Sequence, residues 1–258
     1  MALELWNDTA PASWIADSIN SLGANVGSVV PCRFEAYARL LHPAVRFEGR
    51  HRVSIRWDEI ARTAGRVPHP DMQWANISGN PTMADLGTAA QWNDEPAIGT
   101  LPREYARRLA QLLGPFTTTD DCVWFCVWEG WGDLKVSRGR GVDLSSLPIR
   151  PRPPRKAEKQ SRHPMVNLPH RRYYLFRGRL SDVEESFGAD SSWISANLWW
   201  PDDRTWFVGT GIDHSSSYLG GSAECVATVL SDRDVEAMPA ECHHRISDDA
   251  DVVNQPQH

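Results

Sequence analysis

The 258-residue chain predicts an α+β fold: a central, mostly antiparallel sheet with flanking helices, interrupted by a disordered basic insertion, in a single domain over residues 1–258. Three observations lead there. Apolar residues take helical spacing near both ends of the chain. A mid-chain run, residues 122–128, is apolar on both alternating faces, as in a central strand covered on two sides. The order of elements, helices, one strand, the insertion, further strands and a final helix, argues for α+β with a mostly antiparallel sheet. The length allows a sizeable core, and 41% hydrophobic with 23% charged residues is ordinary for a globular chain.

In chain order, Pro11, Ile15, Ile19 and Leu22 predict a first helix with proline in its first turn. Phe34, Tyr37, Ala38 and Leu41 share one helical face, Glu35 and Arg39 form an i,i+4 pair, and Pro43 stops the run, so 31–43 predicts a second helix. A short helix from Trp57 groups Ile60, Ala61 and Ala64 and ends at Gly65. Residues 66–99 lack a period and read as a connection. Leu101–Leu113 is the strongest helix, with Thr100 as cap and Leu101, Tyr105, Leu109 and Leu112 as its stripe. Gly114-Pro115 supplies a left-handed cap and a breaker.

Strand 122–128 sets Val123, Phe125 and Val127 against Trp124, Cys126 and Trp128. Residues 138–171 then hold Pro, Arg and polar residues without aromatics, a composition that cannot offset its ordering entropy and so predicts disorder. Strands are expected at 172–177, 194–200, 205–212 and 217–219, with a turn at Pro201–Arg204 that places Pro201 at its first central position. Ser222 caps a final helix with Val226, Val229 and Leu230 inward, and the acidic residues 245–258 read as a disordered tail.

Composition narrows the function classes. The net charge of −6 argues against nucleic acid as the main partner, although residues 135–172 carry a local +9. No apolar run spans a bilayer and no leader is visible at the N-terminus, so a membrane location is not expected. Five cysteines, few and odd in number, suggest free thiols in a reducing cytoplasm. No phosphate loop or dinucleotide fingerprint occurs, and no cofactor is implied. Cys122 and Cys126 are about 13 Å apart on an extended strand and cannot share a zinc. Glu241-Cys-His-His244 reads as adventitious, so no metal is expected.

The chain's 12 tryptophans direct attention to two segments, Trp128-Glu-Gly-Trp131 and Trp199-Trp-Pro-Asp-Asp203. Indole is largely apolar but carries one N–H, which suits partly wet contact surfaces. If the two segments meet, Trp128, Trp131, Trp199 and Trp200 would surround a shallow apolar site with Glu129, Asp202 and Asp203 at its rim. Such a site would attract a cationic side chain. The bland alternative makes the tryptophans core and Asp202 and Asp203 ordinary turn residues. A hydrolase or transferase would need Glu129, Asp203 and Asp213 to converge in one aromatic-lined cleft. Asp213-His214 with Ser215-Ser-Ser217 has triad-type residues, but without a nucleophile elbow.

The combination Phe34-x-x-Tyr37-x-Arg39-x-Leu41-His-Pro43, Trp128-x-Gly-Trp-Gly132, Trp199-Trp-Pro-x-Asp203-x-x-Trp206 and Tyr218-x-Gly-Gly-Ser222 resembles a recurrent family of uncharacterised actinobacterial proteins. That resemblance implies no catalytic residues. More remotely, the early proline-helix-loop and the late strand, Gly-Gly and helix are similar to the SUKH superfamily of immunity and protein-binding domains. This second likeness implies a protein partner, with a toxin or effector as its class. The expectation is therefore a non-enzymatic, immunity-like binding module that uses a Trp-rich surface at strand ends.

Overall fold

The computed structural model describes residues 3–19, 25–78, 92–131, 134, 163–188 and 192–254. Their centre is one antiparallel sheet. The strands are β1 (Glu4–Leu5), β2 (Ala36–Leu41), β5 (Val123–Trp128), β6 (Val166–Leu168), β7 (Arg171–Gly178), β8 (Leu198–Pro201), β9 (Phe207–Thr210), β10 (Ser216–Gly221) and β11 (Ala237–Ala240). They lie in the order β1-β7-β5-β8-β9-β10-β2-β11, with β6 beside β7. A separate hairpin joins β3 (Ala44–Glu48) to β4 (His51–Ile55) through Gly49, whose φ of +64° a residue without a Cβ adopts at no steric cost. The α+β class and the antiparallel sheet are as expected.

Both faces of the sheet are covered. On one, α4 (Arg103–Leu113) and α5 (Ala223–Leu230) pack Tyr105, Leu109, Leu113, Val226 and Val229 against Phe125, Val127, Trp199, Val208 and Leu219. On the other, α1 (Ser13–Ser18) and the chain around Val26–Val30 pack Trp14, Ile15 and Val30 against Trp124, Cys126, Trp200 and Phe207. Strand β5 divides as its alternation requires, odd residues to one face and even residues to the other. A smaller cluster beneath α2 (Trp57–Thr63) and α3 (Trp74–Ile77) gathers Leu41, Trp57, Met72 and Ile77.

Several expectations fail for physical reasons. Residues 36–41 form β2, not a helix, and lie between β10 and β11. With Tyr37, Arg39 and Leu41 buried on one face and Ala38 and Leu40 on the other, no alternation remains to distinguish strand from helix. The helix from Leu101 begins at Arg103 with Pro102 at its cap, because Ser195 Oγ accepts from the Leu101 N–H at 2.8 Å. Gly114 has φ −52° and continues into a 3₁₀ turn, so it is no left-handed cap. Pro201 opens its turn by accepting from Arg204 N at 2.9 Å, with Asp202 and Asp203 central.

Disorder was also over-assigned. Of the expected insertion, 138–162 lie outside the described residues, but 163–171 carry β6 and the start of β7. Of the expected tail, 255–258 lie outside, whereas 245–254 dock on the body. Asp251 is fully buried and accepts from the Gln73 N–H at 3.0 Å and from the Asn254 N–H at 2.8 Å, and its Oδ1 lies 2.9 Å from His69 Nε2. A chain segment tied by a buried carboxylate does not fray.

The thiols are not all free. Cys32 and Cys242 form a disulfide with Cα atoms 5.5 Å apart, leaving Cys122, Cys126 and Cys225 as thiols. This removes the ground for expecting a reducing compartment. No helix among the described residues is long and apolar enough to cross a membrane.

Candidate functional site

The two Trp-rich segments occupy opposite ends of the sheet. β5 and β8 are antiparallel neighbours with Val123 opposite Pro201 and Cys126 opposite Leu198. The Pro201 turn therefore adjoins the start of β5, where Asp202 N donates to Cys122 O at 2.9 Å. The Trp128–Trp131 turn leaves the far end, about 17 Å away at a strand's rise per residue. The seven residues of the expected binding surface divide three ways.

Trp199 and Trp200 lie mid-sheet, 1% and 0% exposed, one on each face. Adjacent strand residues point to opposite faces, and here each face has its own cover. They are core. Asp202 accepts from Trp124 Nε1 at 2.8 Å. Asp203 accepts from Thr117 Oγ1 and Thr118 N, both at 2.8 Å, and from Thr205 Oγ1 at 2.9 Å. Burial acts to raise its pKa, but these hydrogen bonds outweigh burial and hold the carboxyl below the usual range. Both aspartates are structural turn residues.

Trp128, Glu129 and Trp131 remain together. The two indoles meet edge to face with centroids 5.9 Å apart, and both are partly open. Asn197, fully buried, fixes the turn: its Oδ1 accepts from Trp128 N at 3.0 Å and from Trp131 Nε1 at 3.2 Å. Beside them lies an open recess lined by Trp128, Glu129, Leu168, His170, Arg171 and Arg172. Arg172 Nε donates to Glu129 at 2.5 Å, and Arg171 Nη2 donates to Asp213 at 2.7 Å. His170 takes φ +59° at the β6–β7 turn, a conformation that His tolerates better than most side chains.

The basic half of this recess was missed because His170 and Arg171 fell inside the expected insertion. The available signal was Leu168-Pro-His170 directly before a Tyr-Tyr strand, a turn at a strand boundary. Glu129 is paired with Arg172 here, while Asp202 and Asp203 lie at the other end of the strands, so the recess does not have the acidic rim expected for a cationic side chain. Nor do the three carboxylates of the enzymatic reading converge. Glu129 and Asp213 share this end, each in an ion pair with an arginine, while Asp203 sits at the other.

The triad-type residues resolve differently again. Ser217 hydrogen-bonds to His42 Nε2 at 2.8 Å and Thr210 Oγ1 at 2.6 Å. His42 Nδ1 lies 2.6 Å from Ala97 O, which can only accept, so Nδ1 carries the proton and Nε2 accepts from the serine. His42 and Ser217 are fully buried, which closes the pair to any substrate. Burial lowers the His42 pKa to about 4, with Arg39 and His214 adding to the effect. The unfolded chain binds a proton that native His42 refuses, so stability is lost as pH falls from about 6.5 toward about 4. The expected loss reaches roughly 3 kcal/mol. Urea titrations across that window should give a shallower stability–pH slope for His42→Gln; an unchanged slope overturns the assignment.

At the surface, Glu241 Oε2 lies 2.9 Å from His243 Nε2 and 3.6 Å from His244 Nε2, so these three side chains could hold a metal ion. The backbone N–H of Glu241 already engages His244 Nδ1 at 3.3 Å. No family model, curated protein or solved structure matches the chain.

Proposed function

We propose that the protein is a non-enzymatic binding module, and that it holds a protein partner at the Trp128–Glu129–Trp131 end of its sheet. One observation carries this reading: Trp128, in edge contact with the partly open Trp131, lines one open recess together with Glu129, His170, Arg171 and Arg172. Aromatic residues and arginine are the side chains from which binding hot spots are most often built. The ion pairs Arg172–Glu129 and Arg171–Asp213 offer charges of both signs to a partner surface, with charge governing the rate and specificity of encounter. A toxin or effector, as the SUKH likeness implies, is the partner class assigned to it.

The test is capture from extract of the source cells, with the bound protein identified by mass spectrometry and its cross-links mapped. Trp128→Ala and Arg172→Glu should lose the same partner that wild type captures, while Arg62→Ala on α2 retains it. Thermal unfolding of each variant separates lost binding from lost fold. Cross-links that map away from the recess, or capture that survives both substitutions, overturn the proposal.

A further inference from the structure

A second, smaller recess lies on the opposite part of the sheet, where β2 runs between β10 and β11. Arg39 of β2, Asp71, Tyr218 of β10, His244 and Arg245 are in its wall. Arg39 is 5% exposed, an uncommon burial for a group that is always charged. Its Nε donates to Ser216 Oγ at 3.2 Å, its Nη1 to the carbonyls of Pro70 and Met72 at 3.0 and 2.9 Å, and its guanidinium lies 5.5 Å from the centre of the Trp57 ring. Among the described residues Nη2 has no acceptor, and no carboxylate lies within the 4.0 Å of an ion pair.

Neutral acceptors satisfy donors but do not cancel a charge, and a buried cation without a counter-ion is costly. The other basic groups in the wall already have partners. Arg245 pairs with Asp249, and His244 lies beside Glu241. Asp71 shares the wall but makes no ion pair with Arg39. The free space in the recess is about that of one water molecule.

We infer that this recess binds one small monovalent anion of chloride size, with the Arg39 guanidinium as its charge partner. The anion supplies a counter-charge that no carboxylate among the described residues places within ion-pair distance of Arg39. Binding to the native state alone makes stability rise with anion concentration and then follow a single-site curve. Asp71, a like charge in the same wall, opposes binding.

Unfolding of the wild-type chain is compared in sodium chloride and sodium gluconate at matched ionic strength, gluconate being too large for the recess. Chloride should give a saturable rise in unfolding temperature. Asp71→Asn should tighten the apparent chloride affinity about fivefold by removing a nearby negative charge. Arg39→Met should abolish the dependence on chloride. Crystals soaked in bromide should show an anomalous peak against the guanidinium. Identical curves in the two salts, or no bromide peak, overturn the inference. Destabilisation by Asp71→Asn without tighter chloride binding overturns it too, because Asp71 would then be the counter-ion. If Arg39→Met does not fold, the Asp71 variant and the bromide map still decide.

Discussion

Reduction of the Cys32–Cys242 disulfide is expected to lower the unfolding temperature by roughly 5–15 °C. The bond joins positions 210 residues apart, with a Cα separation of 5.5 Å, a usual value for a disulfide. Closing so long a loop removes entropy from the unfolded chain, about 5 kcal/mol in the ideal-chain account and roughly 2–4 kcal/mol in typical measurements. Cys32 precedes β2 and Cys242 follows β11, strands already paired in register, so the bond reinforces a contact and does not create one. Gly27 lies against both sulfurs, where a Cβ would have no room, and its N–H donates to Cys242 O at 2.7 Å. Thiol titration checks the bond independently. The denatured, unreduced chain should show three thiols and the reduced chain five. In the native state Cys126 and Cys225 should react more slowly than Cys122, both being fully buried with their thiol pKa pushed upward by burial. Cys32→Ser should match the reduced protein and ignore added reductant. Five titratable thiols without reductant would sink the assignment.

The fold was legible wherever local chemistry and tertiary packing agree. Strand β5 shows its two-faced character in Val-Trp-Phe-Cys-Val-Trp because β-branched and aromatic residues suit a pleated surface buried on both sides. Helix α5 was legible from Ser222, whose hydroxyl accepts from Cys225 N at 3.2 Å, and α2 from Gly65 at φ +67°. Other features depend on long-range partners that no local window contains. Arg39 and Asp251 are charged residues in a core, each held by groups distant in sequence. The N-terminus of α2 is capped by Glu236, whose carboxylate accepts from Trp57 N at 2.7 Å and Asp58 N at 2.9 Å. A cap 179 residues away leaves no trace in the helix's own sequence.

The candidate site was legible as residue types but not as a place. Trp128, Glu129 and Trp131 stand together because they are neighbours on one turn. Asp202 and Asp203 were joined to them only by assuming that two Trp-rich strand ends coincide. Strand register decides that, and antiparallel pairing of β5 with β8 sends the two turns to opposite ends. Cross-strand register is set by the whole sheet, so composition alone could not separate them.

The Trp200→Ala substitution is expected to cost about 3–5 kcal/mol, enough to populate unfolded chains in a protein of ordinary stability. Trp200 is fully buried, stacked on Phe207 with centroids 5.6 Å apart and edge-on to Trp14 at 6.0 Å. Removing the indole leaves a cavity beneath α1 and releases Trp14, itself flanked by the Arg33 and Arg204 guanidinium groups. The conservative substitution should behave otherwise. Trp200 Nε1 is buried and makes no hydrogen bond among the described residues, so Trp200→Phe discards an unsatisfied donor along with part of the ring. Its expected cost is below that of Trp200→Ala, because a smaller cavity is left and no hydrogen bond is lost. Trp206→Phe provides the contrast, because Trp206 Nε1 donates to Leu113 O at 3.1 Å and the substitution removes that buried hydrogen bond. Urea unfolding of the three variants should therefore rank Trp200→Ala as most damaged, Trp206→Phe next and Trp200→Phe least. Wild-type stability in Trp200→Ala would place that indole at the surface and restore it to a binding role. The opposite order of the two Phe variants would mean that Trp200 Nε1 has a partner.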